Sequence, residues 1–271
     1  MPSAALASVT EQGEQISKQS TSEHNSRNGL LACLPATEYK RLSTHLEPYP
    51  LRFGETIYKA KSKIDYIYFP EAGVLSIVGL TGNERAIEVG LVGSEGFVGM
   101  PLFLGVPRSS NEVIVQGEGT ALRIKATAAL TEFARGSAFH DAVLLFAHEL
   151  FVQLSQVTTC NRHHDVEQRL SRWLLMMRDR IPNNTLPLTQ EFLSWMLGVR
   201  HQAVSQAAVG LQRTGSIKYT RGILTIVNRP KLERRACPCY RQMKARSNGH
   251  FDQAAAVGSG GYSRLRTDKK R

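Results

Sequence analysis

Long hydrophobic runs are missing from this chain of 271 residues. No stretch approaches the roughly 18 uncharged apolar residues that a membrane-spanning helix requires, so no membrane partner is expected. Ala4-Ala5-Leu6-Ala7 is too short for the apolar part of a signal peptide, no basic segment precedes it, and Glu11 and Glu14 follow closely. Cysteine is scarce too: four in a chain this long cannot form a disulfide framework. A cytoplasmic protein with reduced thiols is expected. Phosphate-binding Walker loops, dinucleotide fingerprints, His-Glu-x-x-His pairs and nucleophile–base arrangements are all lacking, so no enzyme is expected. The glycine-rich stretch from Gly90 to Gly99 joins strands and opens no long helix. With 42% hydrophobic and 21% charged residues, the chain is not disordered as a whole.

The front of the chain also lacks excess positive charge. Leaving out histidine, residues 1–29 carry a net −1, residues 30–160 a net −2, residues 161–243 a net +9 and residues 244–271 a net +5. The whole excess lies behind Cys160. Such asymmetry points to a C-terminal part that binds a polyanion and a front part with another task.

Five segments are expected. Residues 1–29 are polar and form a disordered tail. Residues 30–136 form a β-rich domain, 137–161 a long helix, 162–243 a helical domain, and 244–271 a flexible basic tail. Between about 48 and 126 the hydrophobic period is two: Ile87, Val89 and Leu91 alternate with Glu88 and Gly90, and Leu122 and Ile124 with Arg123 and Lys125. Turn signals at Phe53-Gly54-Glu55, Glu71-Ala72-Gly73, Thr81-Gly82-Asn83 and Gly93-Ser94 separate the strands. This pattern predicts an antiparallel barrel or roll. The period then changes to helical. Phe139, Val143, Phe146, Leu150, Leu154 and Val157 form one stripe, with Leu144, Ala147 and Phe151 beside it. A helix apolar on two sides needs two partners. The roll supplies one, and the same helix of a second subunit is expected to supply the other, with the first stripe as the seam.

Residues 188–227 carry the most specific signal. Thr189 is a good N-cap for a short helix. Gly198 permits a sharp turn, residues 200–213 form a second helix, and Gly215 ends it. Ile217 to Tyr219 and Ile223 to Val227 bracket Thr220-Arg221-Gly222 as a hairpin. Helix, turn, helix and β-wing together predict a winged helix-turn-helix whose second helix enters the DNA major groove. The expected DNA-contacting residues are Thr189, Arg200, His201, Gln202, Ser205, Gln206, Arg213, Lys218 and Arg221.

Over roughly residues 30–240 the chain resembles the Crp/Fnr-type transcription regulators. The resemblance rests on Phe53-Gly54-Glu55 with Ile57-Tyr58, Ile67-Tyr68-Phe69 before Gly73, and Gly96-Phe97-Val98-Gly99. It also rests on Thr189, Gly198, Val204, Leu211 and Ile217 at the family's spacing. It implies an α+β fold: an antiparallel β-roll sensor of the cyclic-nucleotide-binding kind, a long dimerisation helix, and a C-terminal winged helix-turn-helix. It implies a bacterial homodimer that binds palindromic double-stranded DNA, with RNA polymerase as a further partner if it activates. In the family's best-known pattern an arginine, a glutamate and a second arginine contact bases. The matching positions here are His201, Gln202 and Gln206. Two rival readings are a sensor whose roll docks a protein partner, and a nucleic-acid coating protein driven by its basic tail.

Departures from the family decide the cofactor. Its nucleotide-binding members place a glutamate after a glycine and, further on, an arginine–serine pair on the cyclic phosphate. Here Gly99 is followed by Met100, and Asn111 and Glu112 stand at the arginine–serine positions. A thioether does not serve a ribose hydroxyl, and Glu112 would repel a phosphate. The effector pocket is expected around Phe97, Gly99, Met100, Asn111 and Glu112, without a cyclic nucleotide. Cys33 alone does not make an iron–sulfur cluster, and lone histidines such as His45 and His140 argue weakly for haem. No cofactor is expected. No metal is expected either: adjacent histidines in Cys160-Asn161-Arg162-His163-His164-Asp165 should diverge, and Cys237-Pro238-Cys239 is read as a pair of reduced, exposed thiols.

Overall fold

The computed structural model describes residues 26–80 and 86–246. The expected turn at Thr81-Gly82-Asn83 and most of both expected tails lie outside the described residues. Ser26 and Asn28, placed in the N-terminal tail by composition, are buried. Asn28 is fully buried, accepts from the Leu31 N–H to cap α1 (Gly29–Ala32), and donates to the carbonyls of Pro70 (2.8 Å) and Gly96 (2.7 Å).

After α2 (Ala36–Ser43) come β1 (Glu47–Leu51), β2 (Thr56–Tyr58), β3 (Tyr66–Leu80), β4 (Ala86–Val92), the short α3 (Met100–Phe103), β5 (Glu112–Lys125) and α4 (Ala126–Phe133). The strands form one antiparallel sheet in the order β1-β5-β3-β4, with β2 also on β5. The expected turn at Glu71-Ala72-Gly73 is instead a bulged bend inside β3. The register against β5 shifts between Pro70 and Leu75, which lets one long strand curl into the roll. Gly73 takes φ 93° there, and a Cβ on it would stand 2.5 Å from the Gly117 carbonyl oxygen.

The period-two reading of β4 holds at Leu91, which is buried, and fails ahead of it. Glu88 is buried, while Ile87 and Val89 are half-buried. The strand has a neighbour on each side. Glu88 turns in and accepts from Ser76 Oγ (3.0 Å) and from Trp173 Nε1 (2.8 Å), while Ile87 packs against Gly198. Both Trp173 and Gly198 belong to the C-terminal domain.

Helix α5 (Ala138–His163) follows the roll. It is the one helix among the described residues long and apolar enough to cross a membrane, but one face is committed to packing. Phe139, Val143, Phe146 and Leu150 are buried within the chain on the roll core, and Phe146 lies 5.0 Å from Phe97 between ring centroids. Four of the six residues expected at an intersubunit seam are therefore already packed inside the one chain. The most apolar stripe went to the nearest apolar surface, which is the same chain's roll. Leu154 and Val157 are half-buried. The second stripe is split: Phe151 is 68% exposed and Leu144 half-buried, while Ala147 packs on the roll core. Further along α5, the Gln153 side chain accepts from the Leu91 N–H (2.7 Å) and donates to the Leu91 carbonyl (3.2 Å) at the edge of β4.

The C-terminal domain holds α6 (Val166–Arg180), β6 (Thr185–Pro187), α7 (Gln190–Leu197), α8 (His201–Arg213), β7 (Ile217–Thr220), β8 (Ile223–Ile226) and α9 (Arg229–Arg235). A capping box between Asp165 and Gln168 starts α6. The three strands pair in the order β6-β8-β7. Residues 239–246 are helical again. Arg180 joins this domain to the roll through Glu95 at 2.6 Å.

Candidate nucleic-acid interface

Thr189 caps α7 as expected, accepting from the Phe192 N–H at 3.1 Å. Gly198 closes that helix in the left-handed region at φ 62°, and α8 begins three residues later. Val204, Ala207, Ala208 and Leu211 are buried, which fixes the rotation of α8. That rotation leaves Arg200, His201, Gln202, Gln206 and Arg213 exposed and Ser205 half-buried. The hairpin turn holds two residues rather than three. Arg221 (φ 51°) and Gly222 (φ 77°) both take positive φ, as a tight turn between twisted strands requires. Arg221 therefore stands at the wing tip, and Lys218 is exposed on β7.

Thr189, His201 and Arg221 line one shallow concavity of about 360 Å³, together with Gln190, Tyr219, Thr220 and Gly222. Three elements distant in sequence thus meet at the start of α8. Tyr219 steadies this meeting point: its hydroxyl donates to the Leu188 carbonyl at 2.7 Å, and its N–H donates to Gln212 Oε1 at 2.9 Å. The result is an exposed helix N-terminus with carboxamide and imidazole groups, flanked by guanidinium groups and free of exposed carboxylates on α8. Such a surface suits a phosphate backbone at its rim and base edges at its centre.

The residues expected to line an effector pocket go to different partners. Phe97 is fully buried among Phe69, Phe103 and Phe146, and Met100 is buried in the same core. Gly99 takes φ 111°, and a Cβ there would stand 2.4 Å from Ile67 Cδ1. Asn111 instead reaches the Val78 carbonyl (3.4 Å), and Glu112 accepts from Thr56 Oγ1 (3.3 Å) at the start of β5. Arg108 donates to the Lys61 carbonyl on the outside of the roll. His45 is exposed, and His140 pairs with Asp141 at 3.0 Å.

Sequence reasoning missed two sites. The first is Glu88, where burial pushes the carboxyl up to about 7, against the opposing pull of its Ser76 and Trp173 hydrogen bonds and of Arg172. A lone glutamate in an alternating strand gives no hint of this. The second is the thiol pair. Cys237 and Cys239 are buried, at 1% and 7% exposure, not exposed as expected. They meet Cys160, and His164 joins them because it leaves the end of α5 in extended geometry, away from His163. The Cys237 thiol, hydrogen-bonding to Cys160, holds the Cys160 pKa down at about 5 and its own correspondingly up. The sequence signal was present as four ligand-type residues in two short clusters. What was missing was their approach across the domain.

Two family models match. Residues 50–135 match the cyclic nucleotide-binding domain, and residues 168–235 match the Crp-like helix-turn-helix domain. No curated protein matches the chain. Among solved structures, FixK2 from Bradyrhizobium japonicum aligns with TM-score 0.60 at 14% identity, over 71% of this chain and 98% of its own. The c-di-GMP responsive global regulator CLP of Xanthomonas campestris aligns with TM-score 0.58 at 15% identity, over 70% of this chain and 98% of its own. TTHB099, a CRP-family transcriptional regulator from Thermus thermophilus, aligns with TM-score 0.55 at 17% identity, over 70% of this chain and 96% of its own.

Proposed function

We propose that this chain, which has the two-domain architecture of a Crp/Fnr-type transcription regulator, reads a palindromic DNA site as a homodimer through the first turns of α8. One observation carries the reading: Arg200, His201, Gln202 and Gln206 are exposed together at the helix start, where His201 lines a concavity shared with Thr189 and Arg221. Gln202 and Gln206 suit the N6/N7 edge of adenine, and His201 stands beside them. Arg200 and Arg221, with Lys218, Arg213 and the capped N-terminus of α7, hold the phosphate backbone. Half-site centres should lie about 10 base pairs apart or a multiple of that. Selection from random duplexes with purified protein tests this. A non-palindromic consensus, or none, would refute it.

The second copy packs on the outward side of α5 around Leu144 and Phe151, because the inward stripe is already occupied. Light scattering on Phe151→Glu should show monomers with the roll intact. The roll takes no cyclic nucleotide: Met100 fills the core where the ribose contact would be, and Glu112 puts a negative charge at the phosphate position. Calorimetry with millimolar cyclic AMP should show no binding, and micromolar affinity would overturn this.

A further inference from the structure

We infer that Cys160, His164, Cys237 and Cys239 form a tetrahedral zinc site that clasps the end of α5 to the end of the C-terminal domain. The four ligand atoms all lie within 4.8 Å of one another. The Cys160 and Cys237 sulfurs are 4.0 Å apart, and His164 Nε2 is 3.3 Å from the Cys239 sulfur. A tetrahedral zinc with Zn–S near 2.3 Å and Zn–N near 2.0–2.1 Å needs S···S of about 3.8 Å and S···N of about 3.6 Å. These two spacings lie within about 0.3 Å of the tetrahedral values and every other pair is within 4.8 Å, so the ion fits with side-chain adjustments of up to about 1 Å. A disulfide needs sulfurs at about 2.05 Å, half the observed distance. An iron–sulfur cluster would hold its ligands further apart than one mononuclear centre does.

Chain geometry supplies the ligands from two fixed places. Cys160 lies in the last turn of α5, and His164 is its C-cap, one turn further on. Cys237 and Cys239 flank Pro238 just beyond α9. Three cysteines in a small buried cluster of their own account for all but one of the chain's thiols.

The charge around the cluster is an independent observation. Arg172 is 3% exposed, its Nε has no partner, and its Nη1 reaches only the thioether sulfurs of Met176 (3.4 Å) and Met243 (3.8 Å). No salt bridge to Arg172 or to buried Arg169 occurs among the described residues. A buried guanidinium needs a negative partner. Arg172 feels Glu88 on one side and all three thiols on the other. Zinc bound by three thiolates and a neutral imidazole carries one net negative charge, which answers this cation. Binding releases to solvent the protons still held by Cys237 and Cys239 and oxidises nothing. Gln156 Nε2, 3.0 Å from the Cys239 sulfur, donates to the same centre.

Full-length protein, expressed with zinc and purified under reductant without chelator, tests the proposal. About one zinc per chain is expected, with no acid-labile sulfide. Cobalt added to stripped wild-type protein should give a thiolate charge-transfer band and tetrahedral ligand-field bands, a readout that needs no variant to fold. Cys160→Ser, Cys237→Ser and Cys239→Ser should lose the retained zinc, while Cys33→Ser keeps it. Absence of stoichiometric zinc and of the cobalt bands in reduced wild-type protein would overturn the site. So would iron with sulfide, or a Cys160–Cys237 disulfide in the metal-free protein. DNA selection is unaffected by the choice among these outcomes, so the two proposals fail separately.

Discussion

The roll core packs Phe69, Phe97, Phe103, Phe139 and Phe146 in tilted and edge-on contacts, with centroids 5.0–6.5 Å apart. The C-terminal domain, by contrast, buries Arg169, Arg172 and two thiols, Cys237 and Cys239, beside Trp173 and its methionines, with Cys160 of α5 against them. An aromatic core is complete in itself, because each ring is satisfied by its neighbours. A core with buried cations is not, since each needs a counter-charge supplied by something else. The front domain is thus a self-sufficient platform, and the rear domain is stabilised by what it binds and touches.

The contrast breaks most sharply at Phe146. Phe146→Ala should cost about 3–5 kcal/mol of roll stability, because the ring is buried and its neighbours cannot close the hole. Urea unfolding measures it. Loss of the dimer without loss of stability would restore the inward stripe to a subunit seam.

Glu88 tests the junction between the two regions. Its carboxyl is raised from 4.5 to about 7 in the folded protein. Between these values the folded state holds a proton that the unfolded chain has released. Stability should therefore fall as pH rises through that window, by about 3 kcal/mol, and level off above it. Glu88→Gln should remove this slope and leave the protein more stable at pH 8. Thermal melts across pH 4 to 8 would show an unchanged slope if the carboxyl is not the cause.

Smaller effects separate reading from holding. Gln206→Ala should cost about 1–3 kcal/mol on the selected DNA site and relax base choice at one position per half-site. Arg200→Ala should weaken all sequences alike and flatten the salt dependence by about one charge. Band shifts at several salt concentrations distinguish them, and identical behaviour of the two variants would remove the division between base and phosphate contacts.

The helix-turn-helix was legible because local rules fix it. Thr189 caps, Gly198 turns, and Val204 with Leu211 sets the buried face, all within a few residues. The roll was legible as a class for the same reason. What stayed hidden depended on contacts between distant segments. The burial of Glu88 follows from Trp173, 85 residues away from it in the chain. Periodicity shows two apolar faces on α5 without saying which one meets the roll. Cys237 read as an exposed thiol because its partner Cys160 lies 77 residues earlier.

Gln153 leaves one last consequence. A side-chain amide that offers both an acceptor and a donor to Leu91 imitates one residue of a further strand. Such mimicry shields part of the open rim of β4 from pairing with a foreign chain. It also works as a ratchet tooth. Sliding α5 along its axis by one turn is a movement of about 5.4 Å, and both bonds would have to release together. Any rearrangement of the helix relative to the roll must therefore pass in discrete steps, with this amide as the latch.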